Sequence, residues 1–228
     1  KAATFDELPP DLVNAFVAIE DSRFWSPNGI DIRSIARAAK GLISDDYAGG
    51  GSTITQQVVK NTYLTQEQTF TRKIVEILLA PEIEKKYSKA DIMEFYCNTN
   101  FYGHQCYGVE AASRYYFGKD AEDLTVYEAA TLAGISNSPS AYDPVSHPKA
   151  SLEKRNDVLK SMHEIGGLSD DEYSAAIERP LTVVKQESEG TDENYQSSYA
   201  IHCAALELMK LDNFDFQYTF EDKDSYTE

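Results

Sequence analysis

Apolar residues recur at three- and four-residue spacing as far as about Pro180, a pattern that predicts a mainly helical domain. Val13, Phe16 and Val17 form the first such stripe, and Glu20 continues it. Residues three and four apart share one face of a helix, so this pattern places a carboxylate on an apolar surface.

Four further helix starts are marked by a serine or threonine followed three residues later by an acidic or amide residue. The pairs are Thr53 with Gln56, Ser88 with Asp91, Thr125 with Glu128, and Ser169 with Glu172. The helix after Thr125 should stop at Gly134, because glycine favours helix C-termini. Pro81 should kink or split a helix predicted over 69–86, and a further stripe predicts a helix ending at Gly166.

Evidence for strands is limited to residues 181–184 and 216–220. Residues 187–194, QESEGTDE, predict an acidic linker, and 199–211 predict an added helix. We therefore expect a mainly α main domain over residues 1–184 and a linker or tail over 185–228.

The formal net charge of −17 and the pI near 4.6 argue against nucleic acid as a partner and against a broadly adhesive surface for anionic lipid. An anionic substrate would need a local cluster of basic residues. No apolar stretch approaches the roughly 20 residues that span a bilayer, so we expect this chain to be soluble. Its polar start and acidic end suggest a piece of a longer protein whose anchor is missing.

Three cysteines lack the spacing of a zinc site. Either Cys97 and Cys106 form a disulfide and leave Cys203 unpaired, or all three are ordinary buried thiols.

Glu20 is a candidate general base, because a carboxylate on an apolar face loses hydration in its charged form. The alternative is a boundary glutamate paired with Arg23. In GGGSTITQQVVK, residues 49–60, the hydroxyls of Ser52 and Thr53 and the backbone N–H groups of a helix start could bind a phosphate. The alternative there is a well-capped helix with no ligand.

In TFTRKIVEILL, Arg72, Lys73 and Glu76 lie within one helical turn. They form either a surface ion-pair ladder of small energetic value or, with Lys60, the basic cluster that an anionic substrate requires. Arg155 lies on an apolar stripe and is either an anchored core salt bridge or a site cation.

Five sequence blocks in this order resemble the peptidoglycan glycosyltransferases, glycosyltransferase family 51, of class A penicillin-binding proteins and monofunctional transglycosylases. They are EDSRF with GID at 20–31, GGSTITQQVVKN at 50–61, RKIVE at 72–76, KADIMEFYCNTNFYG continuing into YGVEAASRYYFGK at 89–119, and KRNDVL at 154–159. The resemblance covers about residues 5–184.

The resemblance implies a lysozyme-like helical fold of two lobes around a substrate groove, at the extracytoplasmic face of the bacterial cell membrane. It implies lipid II as acceptor and a growing lipid-linked glycan as donor, with inversion to a β-1,4 bond and release of undecaprenyl diphosphate. Glu20 matches the general base. Glu76, the other central carboxylate, would act at the diphosphate, through a divalent cation, Mg or Mn, and no organic cofactor is implied. The substrate and diphosphate site would further include Asp21, Ser52, Thr53, Gln56, Gln57, Lys60, Arg72, Lys73 and Arg155.

The resemblance also implies a membrane anchor outside this chain and a covalently linked transpeptidase domain after the linker. Three features depart from the family pattern: Pro27 replaces a histidine, Pro81 interrupts a helix that is usually continuous, and Cys97 and Cys106 are unusual. The competing hypotheses are a lysozyme-like glycan hydrolase, which also uses two carboxylates, and a non-catalytic module that binds cell wall or lipid.

Overall fold

The structure is a computed structural model that describes residues 2–26, 52–63 and 70–184. In these ranges the chain forms short 3₁₀ turns at Phe5–Glu7 and Ala121–Asp123 and a series of α-helices. The helices are α1 Pro10–Glu20, α2 Ile54–Tyr63, α3 Phe70–Lys86, α4 Lys89–Thr99, α5 Val109–Phe117, α6 Val126–Asn137, α7 Pro148–Glu164 and α8 Asp170–Ile177. The predicted mainly α fold is confirmed for the described part of the chain.

All four predicted capping pairs lie at helix starts. Ser88 and Ser169 each accept a hydrogen bond from the backbone of the acidic residue three positions on, which closes a reciprocal capping box. Thr125 begins α6 in the same way. Thr53 Oγ1 accepts from the backbone N–H of Gln56 at 3.2 Å before α2. These starts were predictable because the cap needs only residues close in sequence.

Helix α6 is the centre of the fold. Seven consecutive residues, Ala129 to Ile135, are buried, because α6 packs against α1 on one side and α7 on another. Helix α2 packs against α3 and α4 in a second group of helices. The two groups share one continuous apolar core.

One predicted helix boundary is wrong, and one of the two outcomes predicted at Pro81, a split helix, is not found. Helix α6 continues three residues past Gly134 to Asn137. A Cβ at Gly134 would lie 3.0 Å from Lys154 Cγ, so this glycine allows close approach to α7 and does not end the helix. Helix α3 runs through Pro81 without being split, because burial of Leu79, Ala80 and Ile83 on the same helix offsets the lost backbone hydrogen bond.

Residues 181–184, a strand candidate, are irregular. Val183 packs against the core, and the Val184 N–H donates to the Tyr116 carbonyl at 2.8 Å. Helix α5 was not predicted as a helix, although Val109, Ala112 and Tyr116 give it an apolar stripe. None of the described helices has the length and apolarity to cross a bilayer. Pro27, the linker at 187–194 and the elements predicted at 199–211 and 216–220 lie outside the described residues.

Candidate active site

Two adjacent glutamines on the first turn of α2 connect the two carboxylates that the sequence singled out. Gln57 Nε2 donates to Glu20 Oε2 at 2.7 Å. Gln56 Oε1 accepts from Lys73 Nζ at 3.4 Å, and Lys73 Nζ also donates to Glu76 Oε2 at 2.8 Å. Consecutive residues of a helix point about 100° apart, so one turn of α2 faces both carboxylates. The structure therefore places Glu20 and Glu76 in one region, on different helices.

Glu20 is the last residue of α1 and is half-buried. Besides the bond from Gln57, its Oε1 accepts a longer hydrogen bond from Asn137 Nδ2 at 3.4 Å. Both donors are neutral amides, which orient a carboxylate without neutralising its charge. This is the environment a general base requires: a fixed position and a charge that is still available.

Asn137 was not predicted as a site residue. It ends α6, and it reaches Glu20 only because α6 continues beyond Gly134. The Asn137 side chain is exposed. The sequence separation of 117 residues from Glu20 leaves no local pattern that could have identified this contact.

Lys73 lies at the centre of a second group of polar side chains. Its Nζ donates to Ser52 Oγ at 2.6 Å as well as to Glu76 and Gln56. The side chains are 12% exposed for Lys73 and 3% for Glu76, so this ion pair is largely removed from water. The surface-ladder alternative is therefore wrong for these two residues.

The N-terminus of α2 is already partly capped. Thr53 Oγ1 accepts from Gln56 N–H, and Asp21 Oδ2 accepts from Ile54 N–H at 3.4 Å. An incoming phosphate would meet backbone donors that already have partners and a carboxylate beside them. The capped-helix interpretation accounts for Thr53 and Asp21, whereas Ser52 faces Lys73 and stays a candidate ligand.

The other two residues of the predicted basic cluster are Lys60 and Arg72. Lys60 is exposed on the last turn of α2, one helical turn after Gln56. Arg72 precedes Lys73 on α3, and its side chain lies outside the described residues. Their assignment to the diphosphate remains a prediction.

Arg155 serves a structural purpose. The side chain is fully buried and donates to the backbone carbonyls of Arg179, at 2.7 Å, and Ile177, at 3.3 Å, and to Asn156 Oδ1. Burial lowers the pKa of its guanidinium. These contacts tie α7 to the C-terminal end of α8 and favour the core-anchor alternative over a substrate cation. The anchor uses carbonyls and an amide in place of the carboxylate that we expected.

Replacing Arg155 with methionine should lower the free energy of unfolding by about 2–5 kcal/mol, because buried carbonyls lose their donors. Urea denaturation measures this. Arg114→Met is the control, since Arg114 is exposed and pairs with Glu110 and Asp120 at the surface, where ion pairs contribute at most about 1 kcal/mol. Equal losses in the two variants would contradict the anchor role.

The cysteine alternatives are resolved for the described residues: Cys97 and Cys106 are separate buried thiols. Burial raises the pKa of Cys106 to about 11 and that of Cys97 further, so both stay protonated. In the part of the chain that the structure describes, no three or more His, Cys, Asp and Glu side chains form a group that could hold a metal ion.

Comparisons with known proteins show which family this chain resembles. The family model described as Transglycosylase matches residues 1–163. Penicillin-binding protein 1A of Aquifex aeolicus is 47% identical over 187 residues, which are 80% of this chain and 25% of that protein. Penicillin-binding protein 1F of Bacillus subtilis is 43% identical over 188 residues, 82% of this chain and 26% of that protein. The chain thus spans about a quarter of the length of these relatives.

The crystal structure of penicillin-binding protein 1A from Haemophilus influenzae matches with a TM-score of 0.50 and 25% sequence identity. The match covers 82% of this chain and 18% of that one. It confirms the expected fold class, mainly α and lysozyme-like.

Proposed function

The chain belongs to the transglycosylase family, and from that premise we propose that it polymerises lipid II into β-1,4-linked peptidoglycan strands. The observation that carries the proposal is the division of the site into two ends. Glu20 is held by neutral amides, whereas Glu76 shares a buried position with Lys73. The Glu20 end suits the acceptor hydroxyl, and the Lys73 end suits the diphosphate of the donor.

At one end, Glu20 takes the proton from the 4-hydroxyl of the acceptor sugar as the hydroxyl oxygen attacks the anomeric carbon of the donor. The new C–O bond forms as the bond from the anomeric carbon to the diphosphate breaks on the opposite face, so the configuration inverts. Gln57 and Asn137 hold the carboxylate in place during this transfer.

At the other end, Lys73 neutralises the charge that develops on the departing diphosphate. The Ser52 hydroxyl accepts a hydrogen bond from Lys73 and can donate its own hydrogen to the diphosphate. A diphosphate is already a good leaving group and needs neutralisation of charge more than protonation. Glu76 therefore need not act as a general acid. Its buried carboxylate holds the Lys73 ammonium in place. We assign Arg72 and Lys60 to the same diphosphate as further cations.

A divalent cation, Mg²⁺ or Mn²⁺, fits this end only if the diphosphate of the substrate supplies most of its ligands. The donors here are one carboxylate, Glu76, and one hydroxyl, Ser52, and magnesium often combines one or two carboxylates with substrate phosphates. When bound, the ion would supply further charge neutralisation. Lys73 occupies Glu76 Oε2, so the ion would have to share that carboxylate.

We further propose that the enzyme works at the extracytoplasmic face of the bacterial cell membrane, as part of a longer chain with a membrane anchor and a transpeptidase domain. The relatives of which this chain spans about a quarter are named penicillin-binding proteins, which supports such an organisation.

The test is polymerisation of purified lipid II in detergent, followed by gel separation of glycan strands, with and without added divalent cation after chelation. We expect strands and released undecaprenyl diphosphate. Soluble muropeptides released from isolated cell wall, without polymer, would instead support a hydrolase. Binding of a lipid-diphosphate donor mimic without any turnover would support a non-catalytic module.

A further inference from the structure

Four polar side chains lie beneath Glu20, and the proposed reaction uses none of them. We call this group the inner polar cluster; it consists of Tyr96 on α4, Asn100 and Tyr102 just after α4, and Ser136 on α6. Tyr96 and Tyr102 are fully buried, and Asn100 is 6% exposed. A polar group this deep in a protein normally has a hydrogen-bond partner.

Three atoms of the cluster lack one. Within the described ranges, Tyr96 Oη, Tyr102 Oη and Asn100 Nδ2 have no hydrogen-bond partner in the protein. Tyr116 Oη nearby donates to the Tyr102 carbonyl at 2.6 Å, as a buried tyrosine usually does. Three such atoms in one place would be costly for the fold unless they bind something polar.

The elements that hold Glu20 also enclose the cluster. The Tyr96 ring packs edge-on against Phe16, with centroids 5.1 Å apart, and Phe16 lies one helical turn before Glu20 on the same face of α1. Asn61, one turn after Gln57 on α2, donates to Asn100 Oδ1 at 2.6 Å. The cluster therefore contacts the same two helices that position the base.

Ser136 precedes Asn137, the second donor to Glu20, so α6 contributes to both the cluster and the base.

The Glu20 charge acts on both buried tyrosines of the cluster. Burial raises the pKa of Tyr96 well above its usual value, and the Glu20 charge raises it further, whereas Asn100 and Ser136 lower it. Burial also raises the pKa of Tyr102, and the Cys97 thiol, Tyr96 and Glu20 add to the rise. Both hydroxyls therefore keep their protons at any working pH and are available as hydrogen-bond donors. Asn100 and Ser136 act on the Tyr96 hydroxyl, although Tyr96 Oη has no protein group as a hydrogen-bond partner.

We propose that the inner polar cluster is a binding site for ordered water, which links Tyr96, Tyr102 and Asn100 to the Glu20 carboxylate. A buried water makes about two to four hydrogen bonds, and the cluster offers it two hydroxyls, an amide N–H and the Ser136 oxygen. Tyr96 and Tyr102 are then positioning residues that act on the base through water. The hydration site stands independently of the proposed function, whereas its catalytic consequence rests on it.

A crystal structure of the protein tests the site without any assay of activity. We expect an ordered water within hydrogen-bond distance of at least two of Tyr96 Oη, Tyr102 Oη and Asn100 Nδ2. The variants Tyr96→Phe and Tyr102→Phe should lower the urea midpoint, because each removes a bond to that water. A dry cluster, with phenylalanine variants as stable as the parent or more stable, would overturn the proposal.

Lipid II polymerisation tests the consequence for the base. Loss of donors disfavours the ionised carboxylate, so the acid limb of the kcat/KM profile should move to higher pH in Tyr96→Phe, with a loss of about 3–10-fold in kcat near neutral pH. Partial unfolding would lower kcat but would not move that limb. Tyr173→Phe on α8, whose ring stacks on His163, is the control and should leave the profile unchanged.

A bound water with an unmoved acid limb would refute the positioning role. A parent protein that forms no polymer would instead refute the proposed function, and the crystallographic and stability results would still decide whether the hydration site exists.

Discussion

Replacing Glu20 with glutamine should reduce the rate of glycan polymerisation by about 10²–10⁴-fold, the usual contribution of a general base. Glutamine has nearly the same shape but cannot take the proton from the acceptor hydroxyl. The rate should fall in kcat, while KM for lipid II changes little, since the diphosphate end of the site is untouched. Initial rates of strand formation from lipid II in detergent measure both constants.

The fold should survive this change. The carbonyl oxygen of the new glutamine can accept the 2.7 Å bond from Gln57, and the exposed Asn137 amide can turn away from the new N–H group. Circular dichroism and urea denaturation check this. Glu82→Gln on α3 is the matched control, because Glu82 is an exposed helix residue paired with Lys85 at the surface. Near-normal polymerisation by the Glu20 variant would remove Glu20 from the role of base.

Much of the fold could be predicted from the sequence because its helix starts are marked locally. A capping box needs two residues three positions apart, and the boxes at Ser88, Thr125 and Ser169 all lie where they were expected. Helix ends were less predictable. Gly134 looks like a stop in sequence, but its purpose is contact with α7, which only the tertiary structure reveals.

The candidate site, like the fold, could be predicted only in part. Lys73 and Glu76 lie three residues apart on one helix, so their pairing follows from spacing alone. Spacing could not show that the pair is buried, nor that Gln56 and Gln57 face opposite ends of the site. Asn137 and the inner polar cluster come from segments far from Glu20 in sequence. Arg155 is the converse case: the sequence assigned this arginine to the site, and the structure shows it anchoring the core.

Burial of the Lys73–Glu76 pair also bears on the acidity of the chain. An overall charge of −17 would repel a diphosphate from most of the surface. Lys73 avoids this by lying in a largely desolvated position, where the attraction at short range is screened least. The site therefore does not require a basic surface.

Replacing Lys73 with methionine should lower kcat/KM for lipid II by about 10²–10³-fold, because the charge developing on the departing diphosphate loses its closest cation. The same change leaves the Glu76 carboxylate buried without the ammonium at 2.8 Å, which should cost about 3–5 kcal/mol in the free energy of unfolding. Lys85→Met is the control on the same helix, since Lys85 is 67% exposed in its pair with Glu82. It should alter neither quantity appreciably.

The double variant Lys73→Met, Glu76→Met separates stability from catalysis. Two apolar side chains of similar size in place of a buried ion pair should recover most of the lost stability, so the protein folds but lacks the cation. We expect its polymerisation rate to stay as low as that of Lys73→Met. Polymerisation and urea denaturation should be measured for Lys73→Met, Lys85→Met and the double variant. If the double variant regained both stability and polymerisation, Lys73 and Glu76 would be a structural pair only, and the diphosphate would have to be neutralised by other groups, such as Arg72 and Lys60.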